Sequence, residues 1–232
     1  MANSWILIKV DGTAGQANRP ASFIGGKPIL PVGADLPRCQ LCGANQTFFF
    51  QVAFPSGHPW EGMTMGVFAC TSCATEDSSI PQMLDGPLLN AIIPDGFLDA
   101  YQKNFHLHVF DSTLGVKRLD YVEKIKYAPL ELIASTSSSI DDSRVGGSPV
   151  WLLEDESPRS YAGKAEMQFL LQISSDTKFD LLDSAPGQME IGLRGLPESS
   201  PNRYYQLFNG NFLYFFGAEI DGRHFVYVLT QI

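Results

Sequence analysis

At 232 residues, with 44% hydrophobic and 18% charged residues, the chain is long enough and apolar enough to bury a sizeable core, which excludes a disordered protein. Its net charge of −9 argues against a nucleic-acid phosphate backbone as partner and suits a basic protein partner. Aromatics make up 12%, with 16 Phe, which favours a β-rich core, and no apolar run approaches the ~20 residues of a membrane span.

Residues Trp5 to Val10 alternate like a half-buried strand and stop at Asp11-Gly12, a turn pair. No basic n-region precedes them, so this stretch is not read as a signal peptide and a cytoplasmic protein is expected. In that reducing setting Asn45-Gln46-Thr47 is a sequon without consequence. Gly25-Gly26 requires a backbone that only glycine adopts freely, and Pro28 and Pro31 keep the following residues extended. Phe48 to Phe54 is predicted as a strand buried on both faces, and Met63 to Cys70 as its return after a turn at Pro55–Pro59. A short helix is predicted after Asp95-Gly96, and a strand over Phe105 to Phe110. Tyr121 to Ala134 is extended, with Pro129 expected at an edge or a bend. The polar run Ser135–Ser139, followed by Asp141-Asp142, is a connector. Three strands are predicted at the end, over Tyr204–Phe208, Asn211–Phe216 and Arg223–Leu229, with hairpin turns at Asn209-Gly210 and Asp221-Gly222.

Part of the sequence recurs. Gly146, Gly147, Pro149, Pro158, Arg159, Phe169 and Gln172 repeat Gly25, Gly26, Pro28, Pro37, Arg38, Phe48 and Gln51, all at an offset of 121 residues. Seven identities without a gap read as an internal duplication. The expected fold is therefore mainly β, α+β with few short helices, with two β-sheet halves packed as one pseudo-symmetric unit. Residues 1–134 would form the first repeat and residues 135–232 the second. Gln51 and Gln172 lie in apolar strands, where a buried amide needs partners, so each is expected to bond backbone near its own Gly-Gly-x-Pro loop.

Cys39-Gln-Leu-Cys42-Gly43 and Cys70-Thr-Ser-Cys73 are two C-x-x-C pairs, with 27 residues between them. Two intervening residues let both thiolates of a pair reach one tetrahedral ion. A strand running out from Phe48 and another returning to Cys70 would bring both pairs to one end of a hairpin. Four thiolates and no histidine point to a closed structural zinc site, with Arg38 or Lys27 offsetting the charge. The alternatives are buried reduced cysteines or a redox dithiol. At the same offset Ser160 and Gly163 replace Cys39 and Cys42, so the second repeat cannot hold this metal.

The pattern G-G-x-P … F-x-x-Q, present twice, resembles the YwqG-like family of bacteria. The copy carrying C-x-x-C-G and F-A-C-T-S-C also looks like the N-terminal part of programmed cell death protein 2. The resemblance implies a duplicated β-rich fold without an enzyme mechanism. It also implies chaperoning of a ribosomal protein or immunity by toxin binding.

His106 and His108 share one side of a strand, a half-site for a metal with no third ligand evident. His58 and His224 read as structural. Glu154-Asp155-Glu156, Asp141-Asp142, Asp176, Asp180 and Asp183 read as solvated loop charge, or as a surface for a basic partner. No nucleophile-elbow, zinc-protease, P-loop or dinucleotide fingerprint occurs. The expectation is a non-enzymatic, zinc-stabilised protein-binding module. The alternative is a small-molecule binder or hydrolase using a cleft between the repeats.

Overall fold

Phenylalanine-rich, β-branched segments punctuated by glycine and proline build strands here, as their propensities dictate. A computed structural model describes residues 3–10, 15–16, 18, 21–75, 80–101, 103–137 and 139–232. The Asp11-Gly12 turn lies outside these residues. The fold is mainly β, with one α-helix, Phe97–Tyr101, among the described residues.

Ten strands form one nearly closed sheet. From one edge, their order is Arg223–Gln231, Phe212–Ile220, Gln168–Ile173, Arg144–Gly146, Ser4–Lys9, Ala128–Ala134, Phe23–Ile24, Thr47–Ala53, Met63–Ala69 and Phe105–Asp111. Every neighbouring pair is antiparallel. The two middle strands pair with Ile8 opposite Glu131, and the flanking pairs Leu7–Leu132 and Lys9–Leu130 are symmetric in register about that point.

Outward from the middle the two arms match step by step. Phe23 pairs with Gln51 in one, and Arg144 with Gln172 in the other. A bulge falls between Phe48 and Phe50, and another between Phe169 and Leu171. Such a bulge interrupts the alternation of side chains. It explains how three consecutive phenylalanines are all buried: Phe49 and Phe50 face the large core, while Phe48 faces a smaller cluster with Phe23, Phe68 and Tyr121. The large core takes side chains from both arms, with Phe49 against Phe179 at 4.9 Å and Phe50 against Phe215 at 6.2 Å.

The glycine pairs sit in left-handed backbone, with φ of 58° and 66° at Gly25 and Gly26, and 68° and 72° at Gly146 and Gly147. A Cβ at Gly25 would lie 2.4 Å from the Lys126 carbonyl, and one at Gly146 would lie 2.8 Å from that of Asn3. Each turn feeds a loop held by a buried glutamine. Gln51 accepts from the Ile29 amide (3.1 Å) and donates to the Ala21 carbonyl (2.9 Å). Gln172 accepts from the Val150 amide (2.9 Å) and donates to the Ile140 carbonyl (3.4 Å).

Two sequence expectations fail. Pro129 is not at an edge, because its strand pairs on both sides. Its carbonyl accepts from Val10, so its missing N–H faces the point where the Ser4–Lys9 strand has ended. Asn209-Gly210 is not a hairpin. Tyr204–Tyr205 pairs with Phe179–Asp180, and Leu207–Gly210 is an irregular turn, left-handed at Phe208 and Asn209, leading into the penultimate strand. Asp221-Gly222 does make the hairpin, with both φ angles positive as its turn type requires.

Candidate metal centre

The first knuckle grows from the bridge between Arg38 and Asn45. Within it the Cys39 amide donates to Ala44 and the Gly43 amide to Cys39, both at 2.8 Å, with Gly43 at φ 75°. The second knuckle follows directly from the Met63–Ala69 strand, where the Cys70 amide donates to Asn104 and the Ser72 amide to the Cys70 sulfur at 3.4 Å. Strand pairing of Thr47 with Ala69 brings the two knuckles together. Thr47 and Thr71 hydroxyls, 2.7 Å apart and buried, tie the base of the site.

All four sulfurs lie within 4.8 Å of one another, and no disulfide joins them. Three separations are 3.5 Å (Cys70–Cys73), 3.6 Å (Cys42–Cys70) and 3.8 Å (Cys39–Cys73). A tetrahedral ion with metal–sulfur bonds of about 2.3 Å requires sulfurs about 3.8 Å apart. The donor set therefore fits a metal ion bound by four thiolates, which leaves no open position for a substrate.

The protons of the metal-free thiols reflect burial. It pushes Cys70 up to about 11, and Cys73 further up. Burial also acts against ionisation of Cys42, but the Ala44 amide and the neighbouring sulfurs outweigh it and lower this exposed thiol. A divalent ion reverses the logic and holds coordinated thiols deprotonated. Of the cations proposed from sequence, Arg38 donates to the Gly43 carbonyl at 3.5 Å, within the knuckle. Lys27 instead donates to Leu119. The cation that sequence reading missed is Lys124, which donates to the Thr47 hydroxyl and feels the charge of Cys70; burial dominates and lowers its pKa. Nothing local in the sequence marks Lys124, because it lies 54 residues from Cys70 along the chain.

Beside the cysteines lies a cavity of about 430 Å³. Phe49, Cys70, Cys73 and Asn104 line it together with Gln188, Glu190, Tyr204 and Phe208. Phe208 (φ 47°, ψ 54°) and Asn209 (φ 62°) in that lining are both left-handed, a strained backbone for non-glycine residues that costs about 1–3 kcal/mol each. Burial of the Phe208 ring in the core against Phe105, 5.1 Å away, offsets that cost.

The remaining candidates have local roles. His106 and His108 do share a side, their rings 4.3 Å apart, but the four cysteines are the one cluster of potential ligands among the described residues. Burial lowers both, His108 to about 4. His58 is buried, accepts from the Trp60 amide and reaches the Leu170 carbonyl of the other arm at 3.1 Å; burial lowers it to about 4. Asp155 accepts from the Ser157 amide, and Glu154 and Glu156 receive Gln231, so this acidic run fastens the last strand. Among the described residues no helix is long and apolar enough to cross a membrane. No family model matches the chain, and no curated protein matches it.

Proposed function

We propose that this chain is a zinc-stabilised binding protein without enzymatic activity, acting on a basic protein partner in the reducing cytoplasm. The observation that carries the metal is the closeness of four unpaired thiols within 4.8 Å. Zinc is the ion, because four soft sulfur donors in a tetrahedral set suit it and leave no vacant position. The excess of carboxylates, with a net charge of −9, supports the choice of partner. The cavity walls support binding over hydrolysis. Glu190, Tyr204, Cys70 and Cys73 are their titratable groups among the described residues, and no histidine stands beside them as a base. Descent of the two arms from one copied segment, and kinship with the YwqG-like proteins, belong to the same proposal and rest on the recurring Gly-Gly-x-Pro and Phe-x-x-Gln spacing.

The test is metal analysis of the protein purified without a metal-affinity tag, combined with capture of arginine-rich and lysine-rich peptides at graded salt. One zinc per chain and salt-sensitive capture are expected. A metal-free protein, or one that ignores basic peptides, overturns the reading.

A further inference from the structure

The four thiols can complete a coordination shell, yet that shell faces solvent. Cys39 is buried, but Cys42 is exposed, at the tip of a knuckle whose residues Gln40 to Gly43 are all exposed. Cys70 and Cys73 are half-buried and belong to the lining of the cavity of about 430 Å³. A bound divalent ion keeps its thiols deprotonated, and the thiolate is the form that reacts with oxidants. Coordination here would therefore hold reactive sulfur, at Cys42 above all, where a small oxidant can reach it.

The sulfur separations set where an oxidised thiol would go. Cys42 Sγ lies 3.6 Å from Cys70 Sγ, and Cys39 Sγ 3.8 Å from Cys73 Sγ; both contacts cross from one knuckle to the other. The 3.5 Å separation of Cys70 and Cys73 stays within one knuckle. A disulfide places its sulfurs about 2 Å apart, so each of these pairs must close by roughly 1.5 Å. The first knuckle is the side free to move. Gly43, next to Cys42, has no neighbour within 4 Å of where a Cβ would stand. Cys70 is held at the strand end, its amide donating to Asn104 and its sulfur accepting from the Ser72 amide at 3.4 Å. An exposed, movable thiol thus stands over a fixed one.

We propose that the cluster is a redox-convertible clamp, in which hydrogen peroxide replaces the metal tie with a Cys42–Cys70 disulfide; this rests on the zinc reading above. The Cys42 thiolate attacks one peroxide oxygen as the O–O bond breaks, giving a sulfenic acid and a hydroxide. The Cys70 thiolate then attacks that sulfur, the S–S bond forms and a second hydroxide leaves. Two protons from solvent turn both hydroxides into water. Two thiolates have lost two electrons, and one peroxide has gained them. With two of its four ligands joined, the chain no longer holds the ion, and Cys39 and Cys73 remain as a thiol pair. The crossing bond keeps residues 38–45 tied to the strand end, whereas a Cys70–Cys73 bond would free them.

The test treats the zinc-loaded full chain with hydrogen peroxide. Zinc release is followed with a chromogenic chelator, disulfides by peptide mass, and the loop by amide exchange. The expected result is loss of the bound zinc, a Cys42–Cys70 linked peptide, and recovery of zinc binding after reductant. Protection over residues 38–45 should fall less on oxidation than on chelation in reductant. Zinc release with a Cys70–Cys73 bond, or with sulfinic acid and no disulfide, overturns the clamp. A zinc-loaded chain that keeps its metal under peroxide also overturns it and leaves the zinc reading standing. A chain that takes up no zinc overturns both.

Discussion

The arm carrying the cysteines and the arm without them share strand order, register and bulge position, yet they are fastened differently at their outer ends. In the first, the turn region Arg38–Asn45 is drawn to the strand end at Cys70 by four sulfurs. In the second, the corresponding residues are Ser160 and Gly163, and Ser160–Tyr161 is held by ordinary pairing with Ala165–Glu166 and Ile92–Ile93. At that place the first arm gathers four thiols and the second arm a small patch of sheet. A metal held by those thiols would be one local way to tie a loop, and the second arm, with Ser160 and Gly163 there, has another.

The strongest way to break this comparison is to remove the ion. Cys39→Ser takes away the buried ligand, and chelation takes away the metal. Either should lower the thermal midpoint by at least ~10 °C, given roughly 2–4 °C per kcal/mol in a chain of this size. Amide exchange should rise at residues 38–45 and 69–73 well before it rises at 160–166. An unchanged midpoint, or equal loosening of both ends, would refute a staple confined to one arm.

The next test probes what the arms share. Gln51→Leu and Gln172→Leu each strand two backbone groups at a fully buried position. Each should cost about 2–4 kcal/mol in denaturant unfolding. A loss confined to one variant would show that the two glutamines hold their loops differently.

A smaller effect should follow from pH, through the contact between arms. His58 is held near 4 by burial against an ordinary value of 6.5, so the unfolded chain binds its proton first. The stability carried by neutral His58 is complete above pH 6.5 and is lost as pH falls from 6.5 towards 4. About 2 kcal/mol should disappear over that window, seen as a falling urea midpoint. A midpoint flat across it would contradict a buried neutral histidine.

The smallest effect should be a gain. Asn209→Gly relieves a left-handed residue (φ 62°) and should stabilise by about 0.5–1 kcal/mol. A loss would mean that the Asn209 side chain supplies more to the cavity wall than its backbone strain removes.

What the sequence disclosed were features that act through near neighbours. Paired cysteines with a following glycine, glycine pairs before a proline, and Asp221-Gly222 between alternating residues all carry their geometry locally. Long-range pairing hid the rest. Asn209-Gly210 has the same local signal as a hairpin, but Tyr204–Tyr205 finds its partner at Phe179–Asp180. Pro129 obeys the rule against proline in a ladder only because the neighbouring strand has already ended. Lys124 and the cavity wall at residues 188–209 reach the cysteines by topology alone.

One consequence of the strand order concerns the way the chain is threaded. The first strand, Ser4–Lys9, pairs with Arg144–Gly146, while Ala128–Ala134 pairs with Phe23–Ile24. A cut at the serine tract would leave the amino-terminal ribbon on the wrong fragment. The first fragment would keep all five strands of its own arm and carry a sixth, whereas the second would be left with four, and each would offer a seam that only the other can zip. During synthesis the opening ribbon must likewise wait for more than half of the chain to emerge before both its neighbours exist.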